Sequence, residues 1–316
     1  MAATGEFDII REYFAAAPAA EGVVLGIGDD CALLQPPAGA LLATSVDTLV
    51  AGRHFPEQAD AAKVASRALR VNLSDLAAMG AEPLWFTLAL TLPSADRKWL
   101  QGFSRGLLET AREYGIALVG GDTTAGPLSI TIQVTGHTTK PLRRDGARAG
   151  DSVYVSGPLG AASAALPLVL RKRKVDAELQ QAAEAAFYWP EPQLTLCRAI
   201  APLATAAIDI SDGLLADLGH ICRASGVCAE VDVDALPVAA LARELAGESA
   251  RELAATGGDD YQLCFCVAEA DVPALEQLHS GATCIGRLVD AAGEPQVMAY
   301  RRGRRWSPQQ TGYQHF

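Results

Sequence analysis

Aspartate recurs beside glycine, serine or threonine in five separated segments: GIGDDCA (26–32), SVDTLVAGRHF (45–55), NLSDLAAMGA (72–81), VGGDTTAG (119–126) and IDISDG (208–213). Taken singly, each is also an ordinary turn or helix-cap signature, because an Asp side chain readily bonds nearby backbone N–H groups. Taken together they supply hard oxygen donors from different parts of the chain. That donor type suits magnesium bound with nucleotide phosphates better than zinc or a redox metal. The chain has five lysines, none inside these segments, and no GxxxxGK[ST], DFG or HRD sequence. P-loop and protein-kinase chemistry are thereby excluded, and charge neutralisation in a phosphoryl transfer falls to metal ions and arginine.

Asp75 carries the most weight by itself. Val64, Ala68, Val71, Asp75 and Ala78 share one face of a predicted helix through their 4, 3, 4, 3 spacing. An ionised carboxylate on an apolar face costs several kcal/mol unless it is paired or ligated. A metal ion or an arginine from a distant segment would meet that need. Asp47 and Asp209 pose a similar question, since each interrupts an apolar strand-like run near its C-terminal end, where rigid scaffolds present reactive groups.

The elements that must position these residues are legible. Runs at 41–49, 85–92, 116–121 and 128–137 read as strands, and helical spacing covers about 60–80 and 94–114, each ended by glycine. Strands and helices mix without a strict alternation, which predicts α+β layers. The Pro-, Gly- and charge-rich segment 138–151 marks a boundary between a domain over 1–140 and another over 141–316. In the second, SVYVSGPLG, AAIDIS, AEVDVD, YQLCFCV and ATCIGRL are strand-like. RKRK (171–174) and RRGRR (301–305) read as solvated surface.

Composition narrows the class further. Among 316 residues, 50% are hydrophobic and the net charge is −11; such a surface disfavours nucleic acid and anionic lipid as partners. No apolar run reaches membrane-spanning length, no basic leader precedes an apolar stretch, and seven cysteines include no CxxC pair. These features predict a cytoplasmic enzyme with reduced thiols, mostly packed as small apolar residues, Cys31 among them.

The order and wording of GIGDDCA, SVDTLVAGRHF, VNLSDLAAMGA, VGGDTT, IDISDG and GGDDYQLC, with GYQHF at the end, resemble the bacterial thiamine-monophosphate kinases of the aminoimidazole ribonucleotide synthetase superfamily over essentially the whole chain. The resemblance implies a two-domain α+β architecture, with an N-terminal mixed-sheet domain that dimerises through its sheet and a C-terminal α+β domain that completes the site. It implies ATP as co-substrate, thiamine monophosphate as acceptor and several Mg²⁺ ions. Asp30, Ser45, Asp47, Asp75, Asp122, Asp209 and Asp212 would be metal ligands; Gly121, Asp122, Arg144 and Ser211 would meet the nucleotide; His54, Asp259 and Tyr313 would face thiamine phosphate. One departure stands out, since the family pattern has glutamate where this chain has Asp259, and the shorter side chain changes its reach. Asp29 competes with Asp30 for the metal role. The implied chemistry is direct in-line transfer of the γ-phosphate with no residue acting as a catalyst beyond the metal and phosphate ligands. The alternatives are amide activation, as in aminoimidazole ribonucleotide synthetase, and a non-catalytic ATP–Mg-binding protein.

Overall fold

The computed structural model describes residues 5–15 and 20–313, so the last three residues of the GYQHF segment lie outside the described residues. The chain divides into two compact units, residues 1–76 with 81–139 and residues 77–80 with 140–316. Both mix helices and sheets, an α+β architecture.

The first unit contains α1 (Glu6–Ile9), the short strands β1 (Val23–Leu25) and β2 (Leu33–Leu34), then β3 (Leu41–Val50), α2 (Ala61–Ala78), β4 (Glu82–Leu92), α3 (Arg97–Glu113), β5 (Ala117–Ala125) and β6 (Ser129–Thr138). The last two residues of α2 belong to the second unit. The long strands form a sheet in the order β3-β6-β4-β5, antiparallel except for β4 against β5. That parallel pair needs a crossover, which α3 supplies. The Asp96 carboxylate accepts the Trp99 N–H at 2.9 Å and starts α3, while Leu100, Phe103, Leu107 and Ala111 form its buried stripe. In β6 burial alternates strictly: Ile130, Ile132 and Val134 are fully buried, whereas Thr131, Gln133 and Thr135 between them are only partly covered. The sheet thus has one covered and one open face. On the edge strand β3, Leu42, Val46 and Val50 lie exposed on the open side.

The second unit contains β7 (Ser152–Val155), α4 (Ala161–Val169), α5 (Ala177–Tyr188), α6 (Leu194–Ile200), β8 (Ala204–Asp209), α7 (Leu214–Ser225), β9 (Val227–Asp232), α8 (Ala240–Ala246), α9 (Ala250–Thr256), β10 (Leu263–Val267), α10 (Val272–Gln277), β11 (Thr283–Asp290), β12 (Val297–Arg301) and β13 (Arg304–Trp306). Its seven-stranded sheet runs β13-β12-β9-β11-β7-β10-β8, antiparallel except between β12 and β9. Val153 and Val155 enter one core while Tyr154 enters another. A sheet buried on both sides explains the near-continuous apolar run LCFCV in β10.

All seven cysteines are free, and five are buried. Burial pushes the Cys222 thiol up to about 11 and the Cys264 thiol higher still, so these stay protonated packing groups. Cys31 corrects the sequence expectation: it is exposed. Among the described residues no helix is long and apolar enough to cross a membrane. RKRK is exposed after α4, and RRGRR builds the β12–β13 turn, with Arg302 and Gly303 at positive φ.

Candidate active site

In the first unit, three of the predicted ligands meet on the covered side of β3. Ser45 and Asp47 lie two residues apart on one strand face, and the Ser45 Oγ donates to the Asp75 carboxylate at 2.6 Å. A hydroxyl that gives its proton to a carboxylate keeps its lone pairs for a cation, so Ser45 and Asp75 pair as hard oxygen donors, with Asp47 next along the same strand face. Asp75 is half-buried at the end of the apolar face that made it conspicuous. Asn72, which the sequence reading passed over, fixes this corner. It is fully buried, its Oδ1 accepts the Asp47 N–H at 3.1 Å, and its Nδ2 donates to the Ala68 carbonyl at 2.8 Å. A buried asparagine one helical turn from a candidate ligand was the available signal. His54 sits in the turn after β3, where its Nδ1 accepts the Val50 N–H at 3.0 Å, which leaves the proton of the neutral ring on Nε2.

The GIGDD and VGGD segments meet elsewhere in the same unit. Together with Ile10, Phe14, Leu88 and Cys31 they line a cavity of about 730 Å³. Register slips at Val119, where Phe86 pairs with Leu118 but Thr87 with Gly120, a bulge of the kind that re-aims side chains beside functional sites. Asp122 then stands in line with Ala89, Thr131 and Thr48, on the face opposite Asp47. Asp29 accepts the Asp30 N–H at 2.8 Å and so serves its own loop. Gly121 is fixed by packing: a Cβ there would lie 1.9 Å from the Leu88 carbonyl oxygen. The sequence resemblance had assigned this glycine to the nucleotide, and the strand neighbour is a sufficient cause by itself.

Strands β3 and β5 are the two edges of the four-stranded sheet. Three inter-strand spacings of about 4.8 Å separate them by roughly 14 Å, and their carboxylates leave by opposite faces. Within one chain, Asp47 and Asp122 therefore cannot bind the same ion. Among the described residues no three His, Cys, Asp or Glu side chains gather into a metal site. Magnesium does not require such a site, since one or two carboxylates with substrate phosphates and water complete its shell. The Ser45, Asp47 and Asp75 oxygens fit that ion.

In the second unit, Asp209 ends β8 and is buried, and the loop after it is tied to two distant segments through the backbone. Asp259 N–H donates to the Ser211 carbonyl at 2.8 Å, and Tyr313 N–H donates to the Asp212 carbonyl at 2.9 Å. A Cβ on Gly258 would lie 2.5 Å from the Ser211 oxygen, so a glycine is needed where the loops touch. Asp259 and Tyr261 both have positive φ, and the Tyr261 hydroxyl donates to the Asp259 carboxylate at 3.3 Å. Ser211, Asp212, Asp259 and Tyr313 thus belong to one surface. Arg144 is exposed and borders it: His220 is held below its usual pKa by partial burial, then by Arg223 and Arg144, while Asp212 acts oppositely.

Asp260, beside Asp259, also went unnoticed in the sequence. Its buried carboxylate accepts the Gly160 N–H at 2.7 Å and caps α4. Burial pushes it up to about 7, against the lowering effect of the N–H groups of Gly160, Ala162 and Ala161. Such an acid keeps its proton in the folded state after the unfolded chain has lost it. Its stabilising contribution is whole below about pH 4 and is lost as pH rises through about 7, on the order of 4 kcal/mol. Asp260→Asn retains an acceptor for Gly160 and cannot ionise. Urea unfolding between pH 5 and pH 8 is expected to show a flatter pH dependence in this variant and higher stability at pH 8; an unchanged slope would show that Asp260 does not titrate there.

Residues 28–138 match the AIR synthase related protein, N-terminal domain, and residues 148–297 match the AIR synthase related protein, C-terminal domain. A thiamine-monophosphate kinase of Salmonella typhimurium is 44% identical, over 99% of both chains. The crystal structure of thiamine-monophosphate kinase from Stenotrophomonas maltophilia is 43% identical, with a TM-score of 0.82 over 90% of this chain and 92% of that one. The solved complex of AaThiL with AMPPCP and TMP is 31% identical, with a TM-score of 0.79 over 92% of each chain. The chain belongs to the AIR synthase related family and, within it, to the thiamine-monophosphate kinases.

Proposed function

We propose that this chain transfers the γ-phosphate of ATP to thiamine monophosphate, giving thiamine diphosphate and ADP. The observation that carries the reading is the surface of the second unit, where the Ser211–Asp212 backbone holds Asp259 and Tyr313 directly. A carboxylate and an aromatic ring suit a cationic thiazolium, and the aspartates suit cation-bound phosphates. A terminal phosphate oxygen of the acceptor attacks the γ-phosphorus in line as the bond to the β-phosphate oxygen breaks. That nucleophile is already ionised near neutral pH, so positioning and charge neutralisation replace a general base. Ser45, Asp47 and Asp75 with Asp30 and Asp122 in the first unit, and Asp209 and Asp212 in the second, would be the magnesium ligands, and the metal when bound would neutralise phosphate charge. Gly121, Ser211 and Arg144 would meet the nucleotide and His54 the acceptor. ATP consumption and buried protonated thiols favour a cytoplasmic setting.

Incubation with ATP, Mg²⁺ and thiamine monophosphate should yield the diphosphate, with unphosphorylated thiamine as control. ADP release without that product, or equal use of thiamine, would reject the assignment. ADP release with an amide acceptor instead would mark the amide-activating chemistry of the wider superfamily.

The working form in this reading is a homodimer joined through the open sheet faces, where Leu42, Val46 and Val50 are exposed. Asp122 leaves by that open face from the edge strand β5, so with Asp30 it would stand at the joint and meet the partner copy at the opposite sheet edge, the strand that carries Ser45 and Asp47. Coexpressed Asp75→Asn and Asp122→Asn chains, each inactive alone, should then recover about a quarter of wild-type activity, because half the dimers are mixed and each has one intact site. No recovery in a confirmed mixed dimer would rule out the shared site.

A further inference from the structure

Asp217 has no part in the ligand set, and it is buried, with 3% of its surface exposed. A single oxygen, Oδ2, accepts three consecutive backbone N–H groups: Ser211 at 3.1 Å, Asp212 at 3.1 Å and Gly213 at 3.0 Å. Successive N–H groups converging on one point form a concave nest that favours an anion. The carboxylate comes from the first turn of α7, and the Asp217 N–H itself donates to the Gly213 carbonyl at 3.0 Å, so side chain and helix start lock each other.

Turning three N–H groups inward directs the intervening carbonyls outward. Those of Ser211 and Asp212 are the ones that receive the N–H groups of Asp259 and Tyr313. The Ile210 N–H donates to the Gln262 carbonyl and the Tyr261 N–H to the Ile210 carbonyl, both at 2.8 Å, so the neighbouring segment is stitched to the same loop. One carboxylate therefore sets the backbone on which the residues for both substrates depend.

We infer that Asp217 is a positioning residue for the kinase reaction: it holds the Ser211–Gly213 loop in the one conformation that presents Ser211 and Asp212 to the nucleotide and metal and suspends Asp259 and Tyr313 for the acceptor. The inference rests on the function proposed above for those four residues. A charged acceptor is required because three donors share one oxygen, and charge-assisted bonds are roughly twice as strong as neutral ones. An asparagine carbonyl at the same position holds the three donors more weakly, and the loop gains alternative conformations.

The test compares wild type with Asp217→Asn and Asp217→Glu by thermal unfolding, by kcat and KM for each substrate, and by activity as a function of Mg²⁺ concentration. For Asp217→Asn the expected result is a folded protein. Its half-saturating Mg²⁺ concentration and its KM for thiamine monophosphate should both rise about tenfold or more, since two ligand groups are loosened together. Asp217→Glu keeps the charge and should recover part of both. A purely structural role would lower the folded fraction and scale kcat while leaving both concentration dependences in place; that result, or unchanged kinetics, would overturn the inference. Should Asp217→Asn fail to fold, Asp217→Glu decides by the same two titrations. Wild type that makes no diphosphate would instead remove the functional reading.

Discussion

Asp75→Asn should lower turnover about a hundred- to a thousandfold while the thermal midpoint stays level or rises. The two halves of that expectation have one cause. Asp75 is a half-buried carboxylate, and burial disfavours its charged form, a cost carried by the folded state. Asparagine preserves shape and still accepts the Ser45 proton, so packing is retained and the partly desolvated charge is removed. What disappears is the formal charge, and a neutral amide holds a divalent cation and its phosphates far more weakly. ADP release at saturating substrate and differential scanning measure the two quantities separately. Near-normal turnover in a folded variant would defeat the ligand assignment, and a collapse in the thermal midpoint would mean that Asp75 serves the fold.

How far these residues could be found in advance depended on the range of the interaction. Asp75 was conspicuous because helical spacing alone placed it among Val64, Ala68 and Val71, a local fact that the structure keeps in α2. Strand β6 was equally legible, since its alternation is a period of two written over ten residues. Asn72, Asp217 and Asp260 were not, because each earns its role from a backbone N–H in a loop or distant element whose direction no spacing rule specifies. Asp217 left the faintest trace, an acid in the first turn of a helix after Asp-Gly. The opposite placement of Asp47 and Asp122 was hidden for another reason. It depends on strand order and on a single-residue slip at Val119, and a slip of one residue reverses every following side chain. Cys31 was misplaced because composition predicts burial for a thiol, whereas the GIGDDCA loop carries it to a cavity wall.

Gly121→Ala should destabilise the protein by about 3–5 kcal/mol, the range reserved for overpacked or strained sites. The added Cβ would stand 1.9 Å from the Leu88 oxygen, 2.8 Å from its carbonyl carbon and 2.9 Å from its nitrogen, all backbone atoms of the paired strand β4. No side-chain rotation can relieve that clash. Only separation of β4 from β5 can, and it would break ladder hydrogen bonds at the point where Asp122 is aimed. Gly121 also has φ +154, at the limit of what an alanine tolerates. A fall of roughly 10 °C or more in the thermal midpoint is expected. Gly120→Ala is the matched control, because its Cβ would find only the Thr87 methyl, at 3.9 Å, although Gly120 lines the same cavity. That variant should fold with an unchanged midpoint, and any rise in its KM for ATP would report on the cavity wall alone. If Gly121→Ala instead folded normally and lost only ATP affinity, the glycine would be explained by approach of the nucleotide, and the strand-packing account would fail.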